Sequence, residues 1–314
     1  MYTSIQKIRD FINEPRRRRY ILSKDRALWH QCCSCLDVIE DSELAIAAYS
    51  AREFGASGGA HYLAVYGLLQ ALFLQQDAVI NLCESLGIPE TIDNYPRLRE
   101  IRETRSDSIG HPTKRNRKQA RLTSWHHIVR STLSSKGFEL LSHYSDGKSE
   151  CKSVSVPDLI ADQREYLSDI INAVKDKLEK QEVAHKERFR MEKLVSFFPD
   201  ALDYSLRKIL ETTEMREDVV PGEASLQQVK QAIQSFKGAL EKRGIDLETY
   251  DSIKHVYDLL EYPLGELENF FLGVKIGRQS NINEKTAYIF AFFVGKKVAE
   301  LKQMAQELDE YYSS

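Results

Sequence analysis

This sequence has no long uninterrupted apolar run of the kind found in membrane proteins, and no secretory leader segment is expected. Its 314 residues contain no stretch of about 18 or more apolar residues, so no transmembrane helix is expected. The first 13 residues mix polar and apolar types, and Arg16 to Arg19 follow a proline with no apolar core region after them, unlike a signal peptide. We therefore expect a cytoplasmic protein with no membrane partner.

The sequence has few cysteines, and their number, five, is odd. Cys32, Cys33 and Cys35 lie together on one predicted helix, but no second Cys or His pair follows at a ligand spacing. Small buried thiols in a reducing cytoplasm are the favoured interpretation. The glycine-rich run 55–59 lacks the Lys-Ser or Lys-Thr of a phosphate-binding loop. We expect neither a metal nor a cofactor.

The composition is that of a globular protein, with 42% hydrophobic and 29% charged residues. The length suggests two domains. The net charge is only −3, so any nucleic-acid site must be a local feature.

Most of the chain has helical periodicity. Predicted helices cover residues 25–54, 61–86, 96–109, 114–134, 158–185, 199–217, 225–243, 246–261, 263–276 and 283–311. Two alternating stretches, Lys136 to Tyr144 and Ser149 to Val156, surround Asp146-Gly147 and predict a β-hairpin. The expected fold class is therefore all-α with one inserted hairpin near 136–156. The expected organisation is a basic N-terminal arm over 1–21, a helical domain over 22–182 and a second helical domain of unknown role over 183–314.

Arg105 has an unusual position on the helix predicted over 96–109. Leu98, Ile101, Arg105 and Ile109 fall on one stripe. An arginine in an apolar stripe reaches out to solvent, pairs with a buried acid, or faces a cleft that receives an anion.

His111 follows Arg105 by six positions, and on an unbroken helix the two side chains would point apart. Gly110 lies between them and can adopt a left-handed conformation that turns the chain back over the helix end. Pro112 would stiffen that turn. We therefore expect His111 to lie beside Arg105, although a structural arginine with a capping histidine is the alternative.

The chemistry of this pair suits RNA cleavage by internal attack of the 2′-hydroxyl. Histidine can act as acid or base near neutral pH, and arginine can bind a phosphate through two hydrogen bonds. One chain supplies one histidine and one arginine from this motif. A composite site with two of each requires a homodimer.

Residues 96–121 hold nine basic and three acidic residues. Such a local patch is typical of nucleic-acid binding, although a solvated helix start is the alternative. The candidate RNA-binding residues are Arg102, Lys114, Arg115, Arg117, Lys118 and Arg121.

The run from Arg105 through five residues to His111, at the end of a helix, resembles the motif of the HEPN superfamily. The flanking residues 98–103 and 110–115, the hairpin and the helix with Asp162-Gln163-Arg164 are also similar, and the resemblance covers residues 22–182. The family often has Asn, Asp or His directly after the arginine, where this chain has Ser106. Ser106 can still form a hydrogen bond, and Asp107 is a candidate substitute, so both are supporting residues.

The resemblance implies a helical bundle that dimerises and brings both Arg–His pairs into one cleft, with Arg105 and His111 catalytic. Many HEPN members are metal-independent RNases of toxin–antitoxin, phage-defence or CRISPR systems. We thus expect an endoribonuclease, a toxin or phage-defence effector, whose partners are RNA, a second copy and an antitoxin or regulatory protein. The alternative is a catalytically silent HEPN-like module that recruits a partner or nucleotide.

Structural roles are expected for most of the other notable polar and aromatic residues. His126 and His127, on the predicted helix 114–134, are expected in the core or on the surface, since adjacent helical histidines chelate poorly. Trp125 beside them could stack on a base. Gln76 and Asp77 could reach a dimer cleft, but satisfaction inside the bundle is favoured.

Overall fold

The computed structural model describes residues 2–14, 17, 26–117, 122–214, 219–247, 250–278 and 280–313. The chain divides into two compact units. The first unit comprises Met1–Glu14 and Ile21–Glu179, and the second comprises Pro15–Tyr20 and Lys180–Ser314. Each is described by itself below.

The first unit is built mainly from helices that share one apolar core. Its helices are α1 (Tyr2–Asn13), α2 (Arg26–Ser50), α3 (Gly58–Ser85), α4 (Pro96–Arg105) and α5 (Val156–Phe189), the last of which continues into the second unit. Helix α1 buries Ile5, Ile8 and Ile12, which lie on one face at helical spacing. Residues 2–13 of the predicted arm over 1–21 are therefore a helix packed on the core, because these three side chains bury apolar surface there. Residues 15, 16 and 18–21 lie outside the described residues.

Helix α3 is the most apolar helix of the first unit. The Ser57 side chain accepts a hydrogen bond from the backbone N–H of Ala60 at its start, as N-cap residues do. Among the described residues, α3 alone is long and apolar enough to cross a membrane by length and composition, and half of its most apolar window is buried inside the protein. A core helix meets the same two criteria.

A four-stranded antiparallel sheet follows α4. Its strands β1 (Arg115–Arg117), β2 (Leu122–Ile128), β3 (Gly137–Tyr144) and β4 (Ser149–Ser155) are ordered β1-β2-β3-β4. The predicted hairpin corresponds to β3 and β4, joined by Asp146-Gly147 with a positive φ of 88° at Gly147. The helix predicted over 114–134 is wrong. Residues 123–128 alternate between half-buried or exposed and buried positions, as in a strand with one covered face, and the hairpin is half of a larger sheet.

The second unit is helical and has its own core. Its helices are α6 (Asp200–Glu214), α7 (Val220–Lys242), α8 (Asp251–Lys275) and α9 (Glu284–Tyr311). The two helices predicted on either side of Pro263 are one, since Pro263 lies inside α8. The described chain is thus mostly helical with one small antiparallel sheet.

Candidate functional site

The end of α4 brings Arg105 and His111 onto one local turn. After Arg105 the helix widens into a π turn over Ser106–Gly110. The backbone N–H of His111 donates to the carbonyl of Ser106 at 2.8 Å, five residues earlier, instead of the four of an α-helix. His111 is therefore one wide turn beyond Ser106, the neighbour of Arg105. The wide turn thus places the backbone of His111 over that of Ser106, and the Arg105 guanidinium reaches Gly110, the residue before His111.

Gly110 matters here because it has no side chain to block the Arg105 guanidinium; it does not adopt a left-handed conformation. The glycines with positive φ are Gly87, Gly137, Gly147, Gly244 and Gly277. The expected reversal at Gly110 is wrong, because the π turn already carries the chain around. A Cβ at Gly110 would lie 2.8 Å from Nη1 of Arg105 and 3.6 Å from its Cζ, closer than carbon and nitrogen normally approach. The guanidinium of Arg105 thus lies against the backbone of the residue that precedes His111.

Arg105 is half-buried and is held by two residues of α3. Its Nε and Nη2 donate to Oε1 of Gln70 at 3.3 and 2.8 Å. Its Cζ lies 4.6 Å from the ring centroid of Phe73, within cation–π range. Within the described ranges Arg105 has no ion pair with a carboxylate. Its positive charge is therefore positioned by a neutral amide and an aromatic ring and is available to an anion.

Arg102, one turn earlier on α4, differs from Arg105 because it is paired with a carboxylate. Its Nε donates to Oε1 of Gln76 at 2.8 Å, and its Nη2 pairs with Asp77. Its Cζ lies 4.8 Å from the ring centroid of Phe73. Arg102, a candidate RNA-binding residue, is therefore neutralised inside the first unit.

His111 is exposed, and its backbone, with φ −138° and ψ 48°, is neither helical nor extended. Its side chain makes no hydrogen bond or ion pair with any residue that the structure describes. Neither does the side chain of Ser106, whose carbonyl accepts the π-turn hydrogen bond. His111 is thus accessible to a ligand, and Ser106 contributes through its backbone.

Asp107 is buried and directed toward the sheet. It forms an ion pair with Arg115 of β1, and its Oδ1 lies 3.2 Å from Nε2 of His126 of β2. Arg115 also pairs with Glu103 at 2.8 Å. Burial lowers the pKa of Arg115, but hydrogen bonds and charges from Glu103 and Asp107 raise it, and the net shift is upward. Asp107 therefore ties the π turn to the sheet.

His126 of β2 is a buried residue through which the sheet contacts the turn after α4. Its Nδ1 lies 2.7 Å from Oγ of Ser142 and its Nε2 lies 2.8 Å from Oγ of Ser124. Its backbone N–H donates to the carbonyl of Pro112 at 2.7 Å. Strand β2 is thus attached to the residue immediately after His111.

The remaining basic candidates are only partly described. Lys114 is exposed and has no described ion pair. Arg117 lies in β1, but its side chain is outside the description, and Lys118 and Arg121 lie outside the described residues. Of the six candidates, Arg102 and Arg115 are paired with carboxylates, and Lys114 is the exposed cation among the described side chains.

A buried glutamine network lies behind the site. Nε2 of Gln76 donates to Oε1 of Gln163 at 2.7 Å, and Nε2 of Gln163 donates to Oε1 of Gln75 at 3.0 Å. All three side chains are fully buried. Gln76 is thus satisfied inside the bundle as expected, whereas Asp77 reaches the surface beside Arg102. The network fixes α3 against α5, and α3 supplies the residues that hold Arg105.

Gln70 and Phe73 are the positioning residues that motif spacing missed. With Asp77 they follow the i, i+3, i+7 pattern of one α3 face. Gln70 and Asp77, seven residues apart on one face of this largely apolar helix, are the sequence signal that could have identified that face. Among the described residues no group of three or more His, Cys, Asp or Glu side chains could hold a metal ion.

Comparison of the chain with protein-family models, with curated proteins and with solved structures gives no match.

Proposed function

We propose that this chain is a metal-independent endoribonuclease of the HEPN type that cleaves RNA by attack of a 2′-hydroxyl on the adjacent phosphate. One observation carries the proposal. Arg105 keeps an uncompensated charge, within the described part of the chain, on the turn that ends in the exposed His111. A structural arginine would be expected to pair with a carboxylate, as Arg102 does with Asp77.

The two side chains divide the reaction between them. The 2′-oxygen forms a bond to phosphorus, the bond to the 5′-oxygen breaks, and a 2′,3′-cyclic phosphate remains. Arg105 stabilises the negative charge that grows on the phosphoryl oxygens. Histidine removes the proton from the 2′-hydroxyl, and a second histidine donates one to the leaving 5′-oxygen. Since the motif supplies one histidine per chain, the second comes from a second copy.

An exposed apolar face on α3 supports the dimer. Leu63, Tyr66 and Leu74 are 77%, 42% and 43% exposed. They fall at i, i+3 and i+11 of one face, and Gln70 at i+7 lies between them. This face is continuous with the side chain that holds Arg105. A second copy bound there would bury the apolar side chains and bring its own pair close to the first.

The biological role that we propose rests on the resemblance of residues 22–182 to the HEPN superfamily. We propose a toxin or phage-defence effector whose activity is restrained by an antitoxin or regulatory partner. Such an enzyme would act on cytoplasmic RNA.

The test is RNA cleavage by the purified full-length chain in excess EDTA. Wild type is expected to leave 2′,3′-cyclic phosphate ends. His111→Ala and Arg105→Ala are expected to lose at least about 100-fold in rate, the range of a general acid–base group. Matched controls are His255→Ala and Arg99→Ala, which remove an exposed histidine of the second unit and an exposed arginine of α4. Equal activity in wild type and both site variants would contradict the proposal.

A second candidate function is a catalytically silent HEPN-like binding or adaptor module. The position of Asp107 favours it, because this carboxylate is engaged by Arg115 and His126 and Ser106 makes no described side-chain hydrogen bond. With these contacts, neither Ser106 nor Asp107 orients the side chain of Arg105. RNA binding without cleavage by wild type would favour this function.

A further inference from the structure

The outer face of the sheet carries a row of exposed aromatic rings. Trp125 of β2 is 41% exposed, and His127 of β2 and His143 of β3 are also exposed. Trp125 is directly opposite His143 across the two strands. The rings of His127 and His143 are stacked, with centroids 5.8 Å apart and planes inclined by 29°. These three side chains, here called the aromatic row, form one contiguous surface.

The row has a fixed geometry. Nδ1 of His143 lies 2.8 Å from Oγ of Ser149 on β4, which restrains the ring. Strand alternation places the row opposite the buried face, where His126 is bonded to Asp107 and to Ser142. Planar side chains on a rigid sheet lose little entropy when a flat ligand stacks on them.

The row lies next to the candidate cleavage turn. His126 stands between Trp125 and His127, and its backbone N–H donates to the carbonyl of Pro112 at 2.7 Å. Pro112 directly follows His111. The segment with His111 and Pro112 is therefore hydrogen-bonded to the edge of the strand that carries Trp125 and His127.

The charge of this part of the chain suits a polyanion. Residues 114–155 contain nine basic and three acidic residues, in a protein of net charge −3. Lys114, Arg130 and Lys136 are exposed there. These three cations lie just before or after strands of the sheet that carries the rings, so phosphates can meet the cations while bases stack on the rings, as in proteins that bind single strands.

We propose that the aromatic row is a base-stacking platform for single-stranded RNA, with Trp125 as its principal contact. The proposal rests on the proposed function for its choice of RNA, but it concerns binding and not cleavage. Stacking requires unpaired bases, because the bases of a duplex are stacked on each other and shielded from side chains. The platform thus selects single-stranded segments and presents the adjoining phosphate to Arg105 and His111.

Tryptophan fluorescence provides the test, because the chain has only Trp29 and Trp125. A Trp29→Phe, His111→Ala protein reports on Trp125 alone and does not cleave its ligand. It is titrated with a mixed-sequence RNA 12-mer, either single-stranded or annealed to its complement. The single strand is expected to quench the emission of Trp125, and the duplex is expected to leave it unchanged.

Affinity is measured separately by anisotropy of the labelled single strand on the His111→Ala protein. Trp125→Leu is expected to weaken binding about 5- to 150-fold, the effect of removing one stacked base. Trp125→Phe is expected to retain most of the affinity. The matched control is Tyr262→Leu, which removes a ring that is 64% exposed in the second unit. Because Trp125 is at the surface, an unchanged unfolding midpoint is expected for Trp125→Leu.

Several results would overturn the platform: no quenching at saturation, equal quenching by the duplex, or unchanged affinity in Trp125→Leu. A change in Trp125 emission with protein concentration alone would also overturn it, since a second copy would then cover this face. Failure of the proposed function is distinguishable. Trp125 quenching together with an absence of cleavage by wild type would retain the platform and remove the nuclease.

Discussion

The guanidinium of Arg105 is hydrogen-bonded to the neutral side chain of Gln70, whose Oε1 accepts from Nε at 3.3 Å and from Nη2 at 2.8 Å. Arg102 lies over the same Phe73 ring but is paired with Asp77. Two arginines one turn apart therefore differ in charge compensation. This difference separates a structural arginine from a candidate phosphate ligand, and the first prediction tests it.

Gln70→Glu would place a carboxylate where Arg105 now meets an amide. The new ion pair is expected to change stability by about 1 kcal/mol or less, as partly exposed pairs do. It would also neutralise the charge that binds phosphate, so kcat/KM for RNA is expected to fall at least about tenfold, corresponding to 1.4 kcal/mol. The control is Asp77→Asn, which removes the partner of Arg102 and leaves Gln70 intact. Full activity in Gln70→Glu would show that the charge of Arg105 has no role.

Gly110→Ala adds a methyl group that would lie 2.8 Å from Nη1 of Arg105. The backbone tolerates alanine because φ is not positive there, so the unfolding free energy is expected to stay within about 1 kcal/mol of wild type. The end of the arginine side chain must move, and RNA cleavage is expected to fall.

Gly87→Ala is the control for Gly110→Ala, because it is expected to change stability and not cleavage. Gly87 has a φ of 66° and nothing within 4 Å of an added Cβ, so the cost is conformational strain of about 1 kcal/mol. Urea unfolding is expected to show that loss with unchanged cleavage. A Gly110→Ala protein with wild-type cleavage would exclude a role for the contact between Gly110 and Arg105.

Gln163→Met tests the buried glutamine network. Gln163 bonds to Gln76, to Gln75 and to the carbonyl of Leu72. Methionine fills a similar volume but leaves those polar groups unsatisfied, at a cost of about 1–3 kcal/mol for each buried group. Urea unfolding is expected to show a loss of about 2–4 kcal/mol. The matched control is Gln31→Met, whose hydrogen bonds are at the surface, and a similar loss there would contradict the interpretation.

The cysteines are expected to react with iodoacetamide at very different rates. Cys151 is exposed, whereas burial raises the pKa of Cys35 and of Cys83 to about 11. A thiol with that pKa is about one part in a thousand thiolate at pH 8, and its thiolate fraction grows tenfold per pH unit until pH approaches 11. Peptide mass spectrometry of native protein at pH 8 is expected to find Cys151 alkylated first. Equal rates at Cys151, Cys35 and Cys83 would contradict this, and Cys151→Ser is expected to remove the fast phase.

The local sequence pattern predicted one part of the sheet, the β3–β4 hairpin, and failed to predict strand β2. Asp146-Gly147 between alternating stretches predicted the hairpin, because that dipeptide suits a tight turn with positive φ. Residues 122–128 have no turn signal of this kind beside them, and they were predicted as part of a helix over 114–134. Their strand conformation depends on pairing with β3, a partner that local propensity does not specify.

The sequence by itself determined the helical periodicity, the hairpin, and the placement of Arg105 in an apolar stripe six residues before His111. Those features depend on spacing along the chain, which is what a sequence displays. Only the tertiary structure decided that a π turn joins the pair, that Gln70 holds Arg105, and that Asp107 is directed to the sheet. The π turn is a local departure from helical geometry, whereas the contacts of Gln70 and Asp107 join separate elements, and packing of those elements selects them. That Arg105 meets an amide and no carboxylate among the described residues is a property of that packing.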